Sequence, residues 1–119
     1  MIILVEDDSD QRLALRMALE AAGYKVREAT NGREAVNLQR EHAPIFLITD
    51  IFMPEADGFE LIDMVRKESP KTKIIVVSGG GTRAKQDYLY SAALMGVEAT
   101  LQKPFDVRAL LKTLEALRA

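Results

Sequence analysis

The chain has no cysteine. Disulfides, zinc–thiolate sites and thiol chemistry are therefore excluded. It also lacks a field of one charge sign. With 16 Lys and Arg against 18 Asp and Glu, the formal net charge is −2. No global basic field exists to hold nucleic acid, and none is expected as a partner. No apolar run approaches the roughly 20 residues of a membrane span. The N-terminal apolar stretch, Met1 to Val5, gives way at once to acidic residues. It has neither the length nor the basic flank of a signal peptide. A cytoplasmic location without membrane attachment is expected. One histidine is present, His42, near the end of a predicted helix and remote from the acidic positions described below. It is expected to be a surface residue at a helix end, not a ligand.

What the chain does have is a repeating alternation of short apolar runs and helical periods. Ile2-Ile3-Leu4-Val5, Ile45-Phe46-Leu47-Ile48 and Ile74-Ile75-Val76-Val77 are continuous apolar runs rich in β-branched residues. Runs of this kind suit strands buried on both faces. The stretches from Tyr24 to Glu28 and from Val97 to Leu101 mix polar and apolar residues and read as edge strands.

Helical spacing fills the intervals. Leu13, Met17 and Ala21 share a face with Ala14 and Ala18, and Gly23 follows as a stop. Asn31 with Glu34 resembles a capping arrangement for a second helix. Leu61, Met64 and Val65 mark a third, which should end before Pro70. Leu89, Ala92 and Ala93, together with Gly96, mark a fourth. Val107, Leu110, Leu111, Leu114 and Leu117 mark a fifth, with Asp106 as N-cap.

Strand and helix thus alternate five times. That predicts one α/β domain over 1–119, a five-stranded parallel sheet with helices on both faces. The fully apolar strands belong in the middle and the mixed ones at the edges. Right-handed crossovers then give the doubly wound order 2-1-3-4-5, of the flavodoxin-like type, with its switch point between strands one and three.

Ligands in such sheets bind beyond the carboxyl ends of the strands at the switch point. The residues predicted there are polar. Strand one ends in Glu6-Asp7-Asp8, strand three in Asp50, strand four in Ser78 and strand five in Lys103. Carboxylates gathered together repel one another, and a hard divalent cation relieves that cost. Magnesium suits oxygen ligands and is often shared between one or two carboxylates and a substrate phosphate. Asp50 is then a candidate nucleophile toward an activated phosphoryl group. Lys103 can neutralise a phosphoryl oxygen and Ser78 can hydrogen-bond another. Each residue alone has a blander reading. Asp8 and Asp10 are also ordinary first-turn acids that favour the helix dipole. The weight lies in the joint pattern on successive strand ends.

These stretches resemble the response-regulator receiver domain over essentially the whole chain. The matching segments are Ile3-Leu4-Val5-Glu6-Asp7-Asp8, Thr49-Asp50-Ile51-Phe52-Met53-Pro54, Asp57-Gly58, Val77-Ser78-Gly79 and Lys103-Pro104-Phe105. The resemblance implies that Asp50 accepts phosphate from a sensor histidine kinase or a phosphotransfer protein. It implies a magnesium site made by Glu6, Asp7, Asp50 and the backbone carbonyl of Phe52. Ser78 and Lys103 would hold the phosphate, and the Lys103–Pro104 peptide would be cis. The outcome would be a conformational switch acting on a target or output domain through the fourth helix, fifth strand and fifth helix.

One position departs from the family pattern. Similar domains place Tyr or Phe three residues before the lysine, and this chain has Thr100. The usual aromatic reporter is missing; Tyr88 and Tyr90 on the predicted fourth helix offer a substitute readout, but the favoured expectation is that they are partly exposed helix residues. Gly79-Gly80-Gly81 predicts a loop that is loose without phosphate and closes when Ser78 bonds the phosphoryl group. Phe52 and Gly80 predict slow to moderate self-dephosphorylation, since one crowds an attacking water and the other cannot orient it.

Two other readings compete. A phosphatase of the haloacid-dehalogenase class also uses a strand-end Asp with magnesium. It needs a second Asp two residues on as general acid, and Phe52 stands there. The chain is therefore not expected to be an enzyme beyond its own phosphorylation and dephosphorylation. A degenerate interaction module without the switch would lack a key site residue, and none is lacking.

Overall fold

A computed structural model describes residues 1–50, 58–79, 93, 95–103 and 106–118. The expected sheet is present. Its strands are β1 (Ile2–Val5), β2 (Val26–Ala29), β3 (Phe46–Asp50), β4 (Lys73–Gly79) and β5 (Ala99–Lys103). All neighbours are parallel and the order is β2-β1-β3-β4-β5. Helices α1 (Ser9–Ala21), α2 (Gly32–Glu41), α3 (Gly58–Glu68) and α4 (Val107–Arg118) are described with it. The last corresponds to the fifth predicted helix. The fourth predicted helix lies outside the described residues except at Ala93, which is helical. No described helix is long and apolar enough to cross a membrane.

Strand alternation divides the core into two layers. Ile2, Leu4, Phe46, Ile48, Ile75 and Val77 face α1 and α4, which contribute Leu15, Leu19, Leu110 and Leu114. Ile3, Val5, Leu47, Ile74 and Val76 face α2 and α3, which contribute Ala35, Leu61, Ile62 and Val65. The central strands are buried on both faces, as their unbroken apolar runs require. β2 buries only Val26 and Ala29, the pattern of an edge strand.

The face of α1 differs from the expectation. Leu13 and Met17 are 55% and 61% exposed, while Leu15 and Leu19 are the buried residues. The helix carries apolar residues at i, i+4 on two faces, so periodicity alone does not choose between them. The choice falls to Leu15 and Leu19 because Arg12 and Arg16 on the adjoining face reach Glu28 of β2. Limits of every strand but β1 also shift by one or two residues. Ile45 lies before β3 and is 56% exposed, yet its backbone bonds Met1 and Lys73.

Chain punctuation follows the sequence. Gly23 has φ +97° after α1. Its N–H donates to Glu20 O at 3.0 Å, and the Tyr24 N–H donates to Leu19 O at 3.1 Å. This is a Schellman ending, in which the left-handed residue is most easily glycine. Asn31 caps α2, accepting from the Glu34 N–H at 2.9 Å. The Glu34 carboxylate returns to the Thr30 hydroxyl at 2.5 Å and to its N–H at 3.4 Å. Replacing Asn31 with Ala is expected to lower folding stability by about 1 kcal/mol, measured by urea unfolding. No loss would mean that Thr30 and Glu34 secure the helix start without it. α3 ends at Glu68, before Pro70, as expected. Asp106 caps α4, accepting from the Arg108 N–H at 2.9 Å. His42 is the C-cap residue of α2, partly exposed, with Glu41 as its acidic neighbour.

Candidate functional site

The site is built at the carboxyl ends of β1 and β3, the two strands that flank the switch point. Register pairs Val5 with Thr49, so Glu6 and Asp50 are the next residues on neighbouring strands. Both continue the rows of Leu4 and Ile48 on the same face of the sheet. Glu6 is 1% exposed and Asp50 is 8% exposed. Two acidic residues thus stand side by side at the switch point, both largely withdrawn from water. Beside them the Thr49 hydroxyl donates to Asp50 O at 2.9 Å, closing the end of β3.

The three acids after β1 take different places. Glu6 points into the buried end of the sheet, and Asp7 is exposed. Asp8 is the N-cap of α1, its Oδ1 accepting from Asp10 N at 3.0 Å and Gln11 N at 3.2 Å. Asp8 therefore stands just before the helix as its cap and not within the first turn, while Asp10 is a first-turn acid as expected. Glu6 N donates to Ala29 O at 3.1 Å, and Glu6 O accepts from Arg12 Nη1 at 2.8 Å. Arg12 had no place in the sequence expectations. Its contact depends on β2 and α1 meeting in space, which no local pattern announces.

The remaining positions stand at matching heights. Asp50 pairs with Val77, so Ser78 lies one residue further along β4. Ser78 pairs with Gln102, and Gly79 with Lys103, the last residue of β5. Four strand ends thus converge on one rim, in the order that the sheet predicts. Thr100 pairs with Val76 and is partly buried. Phe52, Asp57, Gly80, Gly81, Tyr88, Tyr90 and the Lys103–Pro104 peptide lie outside the described residues.

The donors at this rim are oxygens, which suit a hard cation and not a thiophilic one. Among the described residues, no three His, Cys, Asp or Glu side chains stand close enough to cage a metal by themselves. Magnesium does not need such a cage, because it keeps several waters and shares its site with substrate phosphate.

Comparison with known proteins agrees with this geometry. The family model for the response regulator receiver domain matches residues 2–115. Chemotaxis protein CheY of Thermotoga maritima is 36% identical over 114 residues, covering 95% of this chain and 92% of that protein. Response regulator receiver protein CpdR of Brucella abortus is 34% identical over 123 residues, covering 98% of this chain and 94% of that protein. Among solved structures, chemotaxis response regulator CheY4 of Vibrio cholerae superposes with a TM-score of 0.86 at 30% identity. The match covers 98% of this chain and 96% of that one. With the strand order, the acidic switch point and these matches in agreement, the chain belongs to the response regulator receiver domain family of two-component systems.

Proposed function

We propose that the chain, over residues 1–119, is a phosphorylation-activated switch in which Asp50 accepts a phosphoryl group. The observation that carries this reading is the burial of Asp50 at the end of a central strand, beside the still more deeply buried Glu6. The donor is a sensor histidine kinase or a phosphotransfer protein of the cytoplasm. An Asp50 carboxylate oxygen forms the new bond to phosphorus as the bond from phosphorus to the donor breaks. The product is an acyl phosphate on Asp50.

Glu6, Asp7, the Asp50 carboxylate and the Phe52 carbonyl would hold magnesium. When bound, the ion spreads negative charge on the phosphoryl oxygens. Burial of Glu6 keeps one carboxylate fixed, and exposure of Asp7 leaves one free to reach a hydrated ion. Lys103 supplies a compact positive charge and Ser78 a hydroxyl for the phosphoryl oxygens. The phosphoryl group then shifts a pre-existing equilibrium of the domain toward the form that a target or output domain recognises. In this reading the chain turns over no external substrate beyond its own phosphoryl group.

The test is incubation with acetyl phosphate, with and without magnesium, followed by intact mass. One phosphoryl adduct per chain that forms only with magnesium supports the switch. Absence of an adduct under both conditions favours an interaction module instead. Steady release of phosphate from an unrelated ester would revive the phosphatase reading.

A further inference from the structure

An ion-pair network connects α1 and β2 directly to the backbone of the acidic turn. Arg12 Nη1 donates to Glu6 O at 2.8 Å, and Arg12 Nε lies 3.6 Å from Glu28 Oε1. Glu28 sits in β2 at the register of Leu4. Its other oxygen accepts from Arg16 Nη1 at 2.7 Å, one turn further along α1. Arg16 also holds Glu20 at 3.0 Å. The hydrogen bond to Glu20, and after it that to Glu28, pushes the pKa of the Arg16 guanidinium up. Arg12 is the more enclosed of the two arginines, with its side chain 18% exposed against 39%.

The Glu6 carbonyl belongs to the peptide plane that joins Glu6 to Asp7. A peptide is planar, so fixing its oxygen fixes the direction in which the Asp7 backbone leaves. The turn has two further anchors. Glu6 N is held by Ala29 O, and the Asp8 side chain is committed to the start of α1. Arg12 ties the peptide plane between those anchors from the side.

We infer that Arg12, held in place by Glu28, is a positioning residue that orients the Glu6–Asp7 peptide for cation binding. The inference rests on the reading of Glu6 and Asp7 as the cation site given above. The guanidinium suits the task because its separate N–H groups address a carbonyl and a carboxylate at once. A lysine ammonium keeps the charge but not the two-ended fork.

The experiment is a magnesium titration of the whole chain by calorimetry, with circular dichroism to report the fold of each variant. Arg12→Lys is expected to weaken magnesium binding about tenfold, the usual scale for losing a group that orients a ligand. Arg12→Gln separates position from charge. Removing a positive charge near a cation site should by itself tighten binding. Weakening in this variant as well identifies positioning; tightening overturns the proposal. So does Arg12→Lys binding magnesium within about twofold of the parent, even if it unfolds more easily, because Arg12 is then structural only. Asp7→Asn tests the underlying reading independently. Its loss of binding, with both Arg12 variants unaffected, leaves the cation site standing and removes Arg12 from it. If Asp7→Asn binds as the parent does, the cation reading falls and the Arg12 proposal with it.

Discussion

Asp50→Asn is expected to take up no phosphoryl group from acetyl phosphate with magnesium, under conditions that modify the parent chain. The carboxamide is nearly the same size as the carboxylate, so the strand end keeps its packing. It lacks the anionic oxygen that attacks phosphorus, and a neutral amide is a far weaker nucleophile. It also removes one negative ligand from the proposed magnesium site. The effect is therefore a loss below detection, not a graded decrease. Asp7 and Asp8 provide the internal control because both are exposed and stand on the same rim. If intact mass still shows an adduct in Asp50→Asn, the phosphoryl group resides elsewhere and the assignment of Asp50 fails. Circular dichroism of the variant should match the parent, which keeps loss of uptake separate from loss of fold.

The second large effect is on stability. Phe46→Ala is expected to cost about 3–5 kcal/mol, measured from the urea midpoint and slope. Phe46 is 1% exposed in the core layer between the sheet and the pair α1 and α4. Its ring meets Tyr24 edge to face, with centroids 6.4 Å apart and planes at 82°. Tyr24 in turn lies under the Arg118 guanidinium, 5.5 Å from the ring centre, at the end of α4. Truncation removes the ring, leaves a cavity and strips Tyr24 of its aromatic partner. A domain of ordinary stability, about 5–15 kcal/mol, would lose a large share of it. A loss under about 1 kcal/mol would show that α1 and α4 collapse into the space. Phe46 lies at the opposite end of β3 from Asp50, about 13 Å away at the rise of an extended strand. Under folding conditions the variant should therefore still accept phosphate, which separates the core from the site.

The strand-end carboxylates were legible because strand ends are punctuated locally. An apolar run that stops at an acid gives its position on the sheet once the strand order is known. Ser78 and Lys103 followed by the same logic, and register puts them at the ends of β4 and β5, on the same rim as Asp50. Asp8 was ambiguous, because a carboxylate at a helix start suits the helix dipole and a cation site equally. Its two backbone donors decide for the cap. Arg12 and Glu28 were not legible at all. Sixteen positions separate them, and a charged residue on a helix or an edge strand is ordinarily a solvated one.

By itself the sequence determined the alternation of strand and helix, the two edge strands and the order β2-β1-β3-β4-β5. Those follow from the length and polarity of each apolar run, which a strand buried on two faces cannot disguise. It also determined which acids stand at the switch point. Only the tertiary structure decided which side of α1 is inside. Leu13 with Met17 and Leu15 with Leu19 have the same spacing, and a helix carries either pair equally well. Burial goes to Leu15 and Leu19 because the sheet and α4 receive them, while Arg12 and Arg16 are drawn to Glu28 across the gap to β2. The same rotation brings Arg12 onto the Glu6 carbonyl, so the packing of a helix on a sheet settles what supports the acidic turn.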